Sequence, residues 1–314
     1  MRAMTISKDH RLESADLPEP VPADGEVLID VVAAGVNRAD LVQVAGKYPP
    51  PPGASPLPGL EVSGRRRDTG EEVVALLAGG GYAEVVAVPH EQLLPAPPGL
   101  SLVDAAGLIE VAATVVSNLV IEAGVPVDGA ASQTVLVHGG TGGIGSFAIQ
   151  LAHVLGHRVL TTVGSDAGVE QALKLGADQA WNRHTTDVRA AVSEAGGADV
   201  ILDVVGGSGL SDNVHMLREH GRLVVIGLLG GPRGELDLGV LMSKRARVIG
   251  TTLRSRPPQD KGAILARTQE IVWPLLASGA IQLPIHARLP LTEAAEAHRI
   301  LRDGGHLGKV ILEV

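Results

Sequence analysis

Residues 135–145 read VLVHGGTGGIG: three β-type residues, a histidine, then glycine at five of seven positions. Gly140, Gly142 and Gly145 satisfy G-x-G-x-x-G. In a strand–loop–helix setting each glycine has a mechanical role. The first permits a tight turn, the second admits a pyrophosphate where a Cβ would block it, and the third lets helix and strand pack closely. Thr141, Gly143 and Ile144 complete the loop, and the free N–H groups of the helix start offer partial positive charge to phosphates. The plain alternative is a glycine-rich surface turn. The strand running in and the helix running out favour a dinucleotide cradle.

An NAD-binding loop of this kind carries Asp or Glu about 20 residues further on, where it grips the ribose 2′-hydroxyl. Here the next strand ends TTVGSD, with Gly164 at that place. A 2′-phosphate meets no carboxylate at Gly164, and Ser165 can donate to it, so the expected cofactor is NADPH. Asp166 opposes this if its side chain turns inward; otherwise it is a solvated cap on the next helix.

The elements that must position this loop follow from periodicity. From about residue 133, apolar strands alternate with helices: TVLVHG, HRVLTTVG, DQAWN, ADVILDVVG, GRLVVIG and ARVIGTT as strands, with helical segments between them, SDNVHMLREHG among these. That alternation is the pattern of a doubly wound parallel sheet, a Rossmann-type α/β fold. The first third differs. GEVLIDVVAAGV, EEVVALL and YAEVVAV are short strands between turns, which suggests a small, mostly antiparallel, barrel-like β-rich domain. Inside it the prolines of KYPPPPGASPLPG force extended backbone, giving either a stiff surface loop or a rigid holder for Tyr48.

Composition bounds the function. The chain has 314 residues, enough for two domains, and a formal net charge of −9, which disfavours nucleic acid or an anionic membrane as main partner. Cysteine is absent, which removes disulfides, thiolate zinc ligands and a cysteine nucleophile. The N-terminus lacks the apolar run of a signal peptide and no stretch reads as a transmembrane helix, so a cytoplasmic location is expected.

Taken together, VAAGVNRADLVQVAGKYPPPPGAS, PGLEVSG, HGGTGGIG, DVVGG, GRLVVIGLLGG, GTTLRSR and LGKVILEV span nearly the whole chain. The sequence resembles the zinc-free quinone oxidoreductase branch of the medium-chain dehydrogenase/reductase superfamily. The resemblance implies a discontinuous GroES-like domain (residues 1–120 and 254–314), a Rossmann NADP(H)-binding domain (121–253), an active site in the cleft between them, and a homodimer or homotetramer. Zinc-dependent relatives carry a cysteine and a His-Glu pair where this chain has Asn37, Leu60 and Glu61, so no metal is expected. Catalysis without a Lewis acid calls for an already electrophilic acceptor, a quinone or an activated enone.

By the same resemblance, Asn37, Asp40 and Tyr48 line the pocket near the nicotinamide. Tyr48 hydrogen-bonds the acceptor oxygen or packs the loop; Asn37 orients a carboxamide or substrate, or makes an Asx turn; Asp40 in such a context is more often a helix cap or a salt-bridge partner. Thr114, Gly227, Leu228 and Leu253 match positions beside the nicotinamide. Arg254 reads as half of a structural ion pair, Lys309 as a residue closing the site or a surface lysine, and His138 as structural. The family's 2′-phosphate lysine is absent, Ala167 and Gly168 standing after Ser165, and Arg183 replaces a family tyrosine where it either grips the phosphate or is merely exposed. Ala112, Ala113 and Val116 replace bulkier residues. The expected activity is NADPH-dependent quinone reduction; the rivals are an enone or alkenal reductase and a non-catalytic NADPH-binding regulator.

Overall fold

A computed structural model describes all 314 residues. They form two compact units: Met1–Ala113 together with Leu253–Val314, and Thr114–Thr252. The first boundary therefore falls before 120/121 and the second one residue before 253/254. The earlier position of the first follows from one helical segment, Ile109–Val115 continued by π-helical turns over Val116–Glu122, whose latter part packs on strands of the second unit.

In the first unit, β1 (Arg2–Ile6) and β2 (Leu12–Asp16) form a hairpin. Then come β3 (Glu26–Gly35), α1 (Arg38–Val44), β4 (Glu61–Arg66), β5 (Glu72–Leu76), β6 (Val85–Pro89), β7 (Leu93–Pro95) and α2 (Leu102–Ala105), with α3 (Ile109–Val115) at its border. β3 is the organiser. Its first half pairs antiparallel with β6, and β4 lies along its other edge with Ala34 opposite Val62. The expected strands are present, and β1, β2, β4 and β7 join them.

The second unit holds β8 (Thr134–His138), α4 (Gly143–Val154), β9 (Arg158–Val163), α5 (Asp166–Lys174), β10 (Gln179–Asn182), α6 (Val188–Glu194), β11 (Ala198–Asp203), α7 (Leu210–Met216), β12 (Leu217–Val225), α8 (Leu238–Ser243) and β13 (Arg247–Gly250). Its six strands are all parallel, in the order β10-β9-β8-β11-β12-β13. All five residues of β8 are buried, as a strand covered on both faces requires. The strand order reverses between β8 and β11. At such a switch point a crevice opens beyond the carboxyl ends of the strands, and the 139–145 loop leaves β8 there.

One helix is shorter than expected. α7 stops at Met216, and β12 begins at once rather than after Gly221. The carbonyls at this helix end are taken by a distant side chain: Lys244 Nζ donates to Val214 O (3.3 Å) and Leu217 O (2.6 Å). No local residue signals that stop.

The chain then returns to the first unit with α9 (Pro258–Ala277), β14 (Ile285–Pro290), α10 (Ala294–Asp303) and β15 (Lys309–Glu313). β15 pairs antiparallel with the second half of β3, Leu312 opposite Ala34, and parallel with β14, completing a seven-stranded sheet. Ile29, Val62, Tyr82, Val88, Val310 and Leu312 are buried together in its core. No helix is long and apolar enough to cross a membrane.

Candidate active site

The 139–145 loop joins β8 to α4 by a turn in which the left-handed residue is Gly139, with φ 77°. The turn role expected of Gly140 thus falls one residue earlier. Gly140 is needed for space: a Cβ there would lie 2.3 Å from Thr161 Oγ1. At Gly145 a Cβ would lie 2.1 Å from Gly139 O, so any side chain would push helix and turn apart. At Gly142, the N-cap of α4, the nearest heavy atom to a Cβ is 3.5 Å away, which is ordinary contact. The helix ladder starts with Ser146 N donating to Gly142 O (2.8 Å), so the N–H groups of Gly143, Ile144 and Gly145 precede it. Thr141, Gly142, Gly143 and Ile144 are only part-buried. Open backbone donors at a helix start, at the sheet's switch point, are what a diphosphate requires.

Beyond β9, Gly164 and Ser165 lead into α5. Ser165 caps that helix, its Oγ accepting from Gly168 N (3.1 Å), which leaves the hydroxyl hydrogen free. Asp166 Oδ1 accepts from Asn182 Nδ2 (2.8 Å), so its carboxylate is tethered to β10 in the helix's first turn. Arg183 is exposed, and its guanidinium nitrogens lie 3.1 Å from where a Cβ on Gly164 would stand. Gly164, Ser165 and Arg183 therefore converge. His138 is buried below, joined through Nδ1 to Thr162 Oγ1 (2.8 Å) and through Nε2 to Asn213 Oδ1 (2.7 Å). Burial pushes its pKa down, so it is a neutral structural residue, as expected. Thr114 is buried, its carbonyl accepting from Ser117 and Asn118. Gly227 packs against the Val204 carbonyl beside the exposed Leu228.

In the first unit the proline loop is fixed at both ends. Asp40 Oδ1 accepts from Gly59 N (3.1 Å), and Gln43 Nε2 donates to Pro56 O (2.9 Å). Arg254 clamps the start: Nη1 donates to Tyr48 O (3.1 Å), Nη2 to Gln43 Oε1 (2.6 Å) and Nε to Ala78 O (2.8 Å). Its guanidinium also sits 5.0 Å from the centre of the Tyr48 ring. The expected ion pair of Arg254 is thus replaced by neutral acceptors and a ring face. Tyr48 is half-buried, and burial raises its pKa, which keeps the phenol protonated as a donor.

Asn37 and Asp40 are committed elsewhere. Asn37 caps α1, Asn37 N donating to Asp40 Oδ2 (2.8 Å). Its Nδ2 donates to Glu61 Oε1 (2.9 Å), and its Oδ1 accepts from Lys309 Nζ (2.7 Å). Lys309 also donates to Glu61 Oε1 (2.7 Å) and Val36 O (3.0 Å), while Glu61 Oε2 accepts from Glu110 N (2.9 Å). The ammonium spends all three hydrogens inside the protein, so Lys309 is neither a surface lysine nor a free site residue. Asp40 is fully buried. It accepts from Tyr82 OH (3.2 Å), and Tyr82 OH lies 3.1 Å from His298 Nε2. Burial raises the Asp40 pKa to about 6 against the backbone donors that hold it down. Asn37 and Asp40 are therefore positioning residues for α1 and the proline loop. Of the three expected catalytic side chains, Tyr48 alone keeps an uncommitted polar group.

The model of the alcohol dehydrogenase GroES-like domain matches residues 23–98, and that of the zinc-binding dehydrogenase matches 143–269. A quinone oxidoreductase of Mus musculus is 30% identical over 316 residues, covering 95% of this chain and 92% of its own. The chain belongs to the quinone oxidoreductase branch of the medium-chain dehydrogenase/reductase superfamily. Among solved structures, the quinone oxidoreductase of Thermus thermophilus, determined alone and with NADPH, aligns over 100% of both chains with TM-score 0.83 and 32% identity. An NAD-dependent alcohol dehydrogenase aligns over 100% of both with TM-score 0.84 and 28% identity.

Within this superfamily a zinc ion has to be tested against the residues. Asn37, Leu60 and Glu61 do not make the set of N, S or O ligands that tetrahedral zinc takes. The amide and carboxylate oxygens of Asn37 and Glu61 are bridged by the Lys309 ammonium, a cation the chain itself supplies. No three His, Cys, Asp or Glu side chains converge elsewhere. The residues of this quinone oxidoreductase relative do not fit the metal.

Two features escaped sequence reasoning. Ala112, Ala113 and Val116 are wholly buried, so the small side chains there fill core. Leu253, expected beside the nicotinamide, is part of the wall of a small hollow in the first unit that also holds Lys261, a residue with no motif to mark it.

Proposed function

We propose that the protein is an NADPH-dependent reductase of small quinones that works without a metal. The observation that carries the cofactor is the meeting of Gly164, Ser165 and Arg183 beyond β9: a guanidinium, a hydroxyl hydrogen and no carboxylate at the place where a 2′-phosphate would stand. The relative from Thermus thermophilus, solved with NADPH, supports the same choice. The residues of the 139–145 loop hold the diphosphate through backbone N–H groups. Thr114, Gly227, Leu228 and Leu253 are proposed to flank the nicotinamide. NADPH, when bound, supplies a hydride.

The protein's own chemistry is positioning. Tyr48, kept protonated by burial and held by Arg254, donates a hydrogen bond to the acceptor oxygen. Purified protein is expected to oxidise NADPH at 340 nm with a small quinone, and chelator should leave the rate unchanged. Loss of the rate on chelation, or no turnover with any acceptor, would reject the proposal. An α,β-unsaturated ketone run beside the quinone separates quinone from enone reduction.

A cytoplasmic location goes with this cofactor. A homodimer or homotetramer is proposed on the edge strand β13, paired on one side only, and on α8, where Leu238 and Met242 are 62% and 76% exposed. Light scattering of the purified chain tests it.

A further inference from the structure

Lys261 lies in the first turns of α9 and is 3% exposed. Its backbone N–H donates to Pro257 O, while its Nζ makes no hydrogen bond and no ion pair within the chain. The other buried lysine behaves differently: Lys309 satisfies all three of its hydrogens. Lys261 Nζ is not among the side-chain atoms sealed from water without a partner, so the little exposure it keeps opens onto the space beside it; an ammonium with so little water and no protein acceptor is still costly. Burial and the nearby charge of Arg254 push its pKa down to about 8. The amine therefore remains mostly charged at neutral pH and still lacks a partner.

What Lys261 faces is a hollow of about 20 Å³. Its walls are Leu60, Leu76, Leu77 and Leu253, an apolar lining that strengthens any electrostatic contact made inside it. The volume suits one water-sized group such as a single oxygen. Arg254 borders the hollow too, but its donors already serve Ala78, Tyr48 and Gln43. Lys261 is thus the uncommitted donor. Glu110 also lines the space and has a partner of its own. Its carboxylate opposes a ligand with several negative charges and leaves room for one.

We propose that this hollow is an oxyanion subsite, in which Lys261 Nζ donates a charge-assisted hydrogen bond to one negatively charged oxygen of a small organic ligand. A carboxylate and a phenolate share that chemistry. The first would be a substituent of the acceptor, the second an oxygen that gains charge as a quinone is reduced; only this assignment to the acceptor rests on the reductase reading above.

The test compares the full-length wild type with Lys261→Met, using benzoate, 4-nitrophenolate and neutral benzamide as probes in equilibrium dialysis. The anions are expected to bind wild type at least tenfold tighter than the variant, with benzamide binding both alike. The yellow 4-nitrophenolate form is also expected to rise in fraction on binding to wild type only. Discrimination of benzoate alone supports the carboxylate source, and of 4-nitrophenolate alone the phenolate source. Equal anion binding by both proteins overturns the proposal. Thermal melting guards against a folding artefact: Lys261→Met should melt at or above the wild-type temperature, and a fall of several degrees would mark Lys261 as structural and refute the subsite. NADPH binding, followed by fluorescence in both proteins, separates the two claims, since its absence removes the reductase reading and leaves the anion result standing.

Discussion

Replacing Lys309 by Met should cost the first unit several kcal/mol, and the network explains how much. Met keeps the length of the side chain, so no cavity opens. What disappears is an ammonium 2.7 Å from Glu61 Oε1 and 2.7 Å from Asn37 Oδ1, both buried. At an effective dielectric constant of 20 the pair's attraction is about 6 kcal/mol. Glu61 keeps its bonds from Asn37 Nδ2 and Glu110 N, which offset part of that loss. Breaking a buried pair from one side costs about 3–5 kcal/mol. At roughly 2–4 °C per kcal/mol for a unit of this size, the melting point should drop by about 6–20 °C. The two tryptophans provide the assay. Trp181 lies in β10 and Trp273 in α9, one in each unit, so a Trp181→Phe background lets Trp273 fluorescence report urea unfolding of the first unit alone. The paired variant Lys309→Met with Glu61→Gln, which removes both charges, should recover most of the loss. The reasoning is refuted if Lys309→Met costs less than about 1 kcal/mol, or if the pair costs more than the single change.

Arg183→Ala should weaken NADPH binding by about 10- to 100-fold, the worth of charge-assisted bonds to a phosphate, and leave NADH nearly unchanged; equal effects in a fluorescence titration would remove Arg183 from the 2′-phosphate site. Gly145→Ala should lose nucleotide binding and destabilise the second unit by about 1–3 kcal/mol, because its Cβ would stand 2.1 Å from Gly139 O; wild-type binding by calorimetry would show that the loop tolerates a side chain. Stability against pH should depend on His298, whose pKa burial depresses to about 4. The unfolded chain binds its proton at about 6.5, so wild type loses stability relative to His298→Gln as pH falls from 6.5 to 4, by about 3 kcal/mol in all. Asp40, raised to about 6, works in the opposite direction, gaining stability as pH falls, and because Tyr82 OH touches both groups the comparison is made in a Tyr82→Phe background as well. A pH-independent difference between the two urea midpoints would count against the assignment.

The second unit was legible because its signals are local. β8, β9 and β11 are buried almost throughout, and the glycine loop sits where strand meets helix, so a doubly wound parallel sheet follows from pattern alone. What stayed hidden depends on distant partners. α7 ends because Lys244 reaches back to its carbonyls, and nothing in SDNVHMLREHG records that. Gly139 rather than Gly140 makes the turn, a distinction that needs backbone angles in a run of glycines. Lys309 read as a residue closing the site or a surface lysine, and Arg254 as half an ion pair, because charged residues are ordinarily solvated. Each is instead buried against groups more than 170 positions away in sequence, Val36 for Lys309 and Ala78 for Arg254. Asn37 and Asp40 were readable separately as an Asx turn and a helix cap, yet their link to Glu61 and Tyr82 was not.

The split first unit has a consequence for synthesis on the ribosome. β3 emerges early, but the strand that covers its second half, β15, is residues 309–313. The whole of the second unit leaves the exit tunnel in between and can fold while β3 still waits with an open edge. The nascent first unit is therefore the stage most exposed to wrong strand pairing, and chaperones should engage the chain most strongly then.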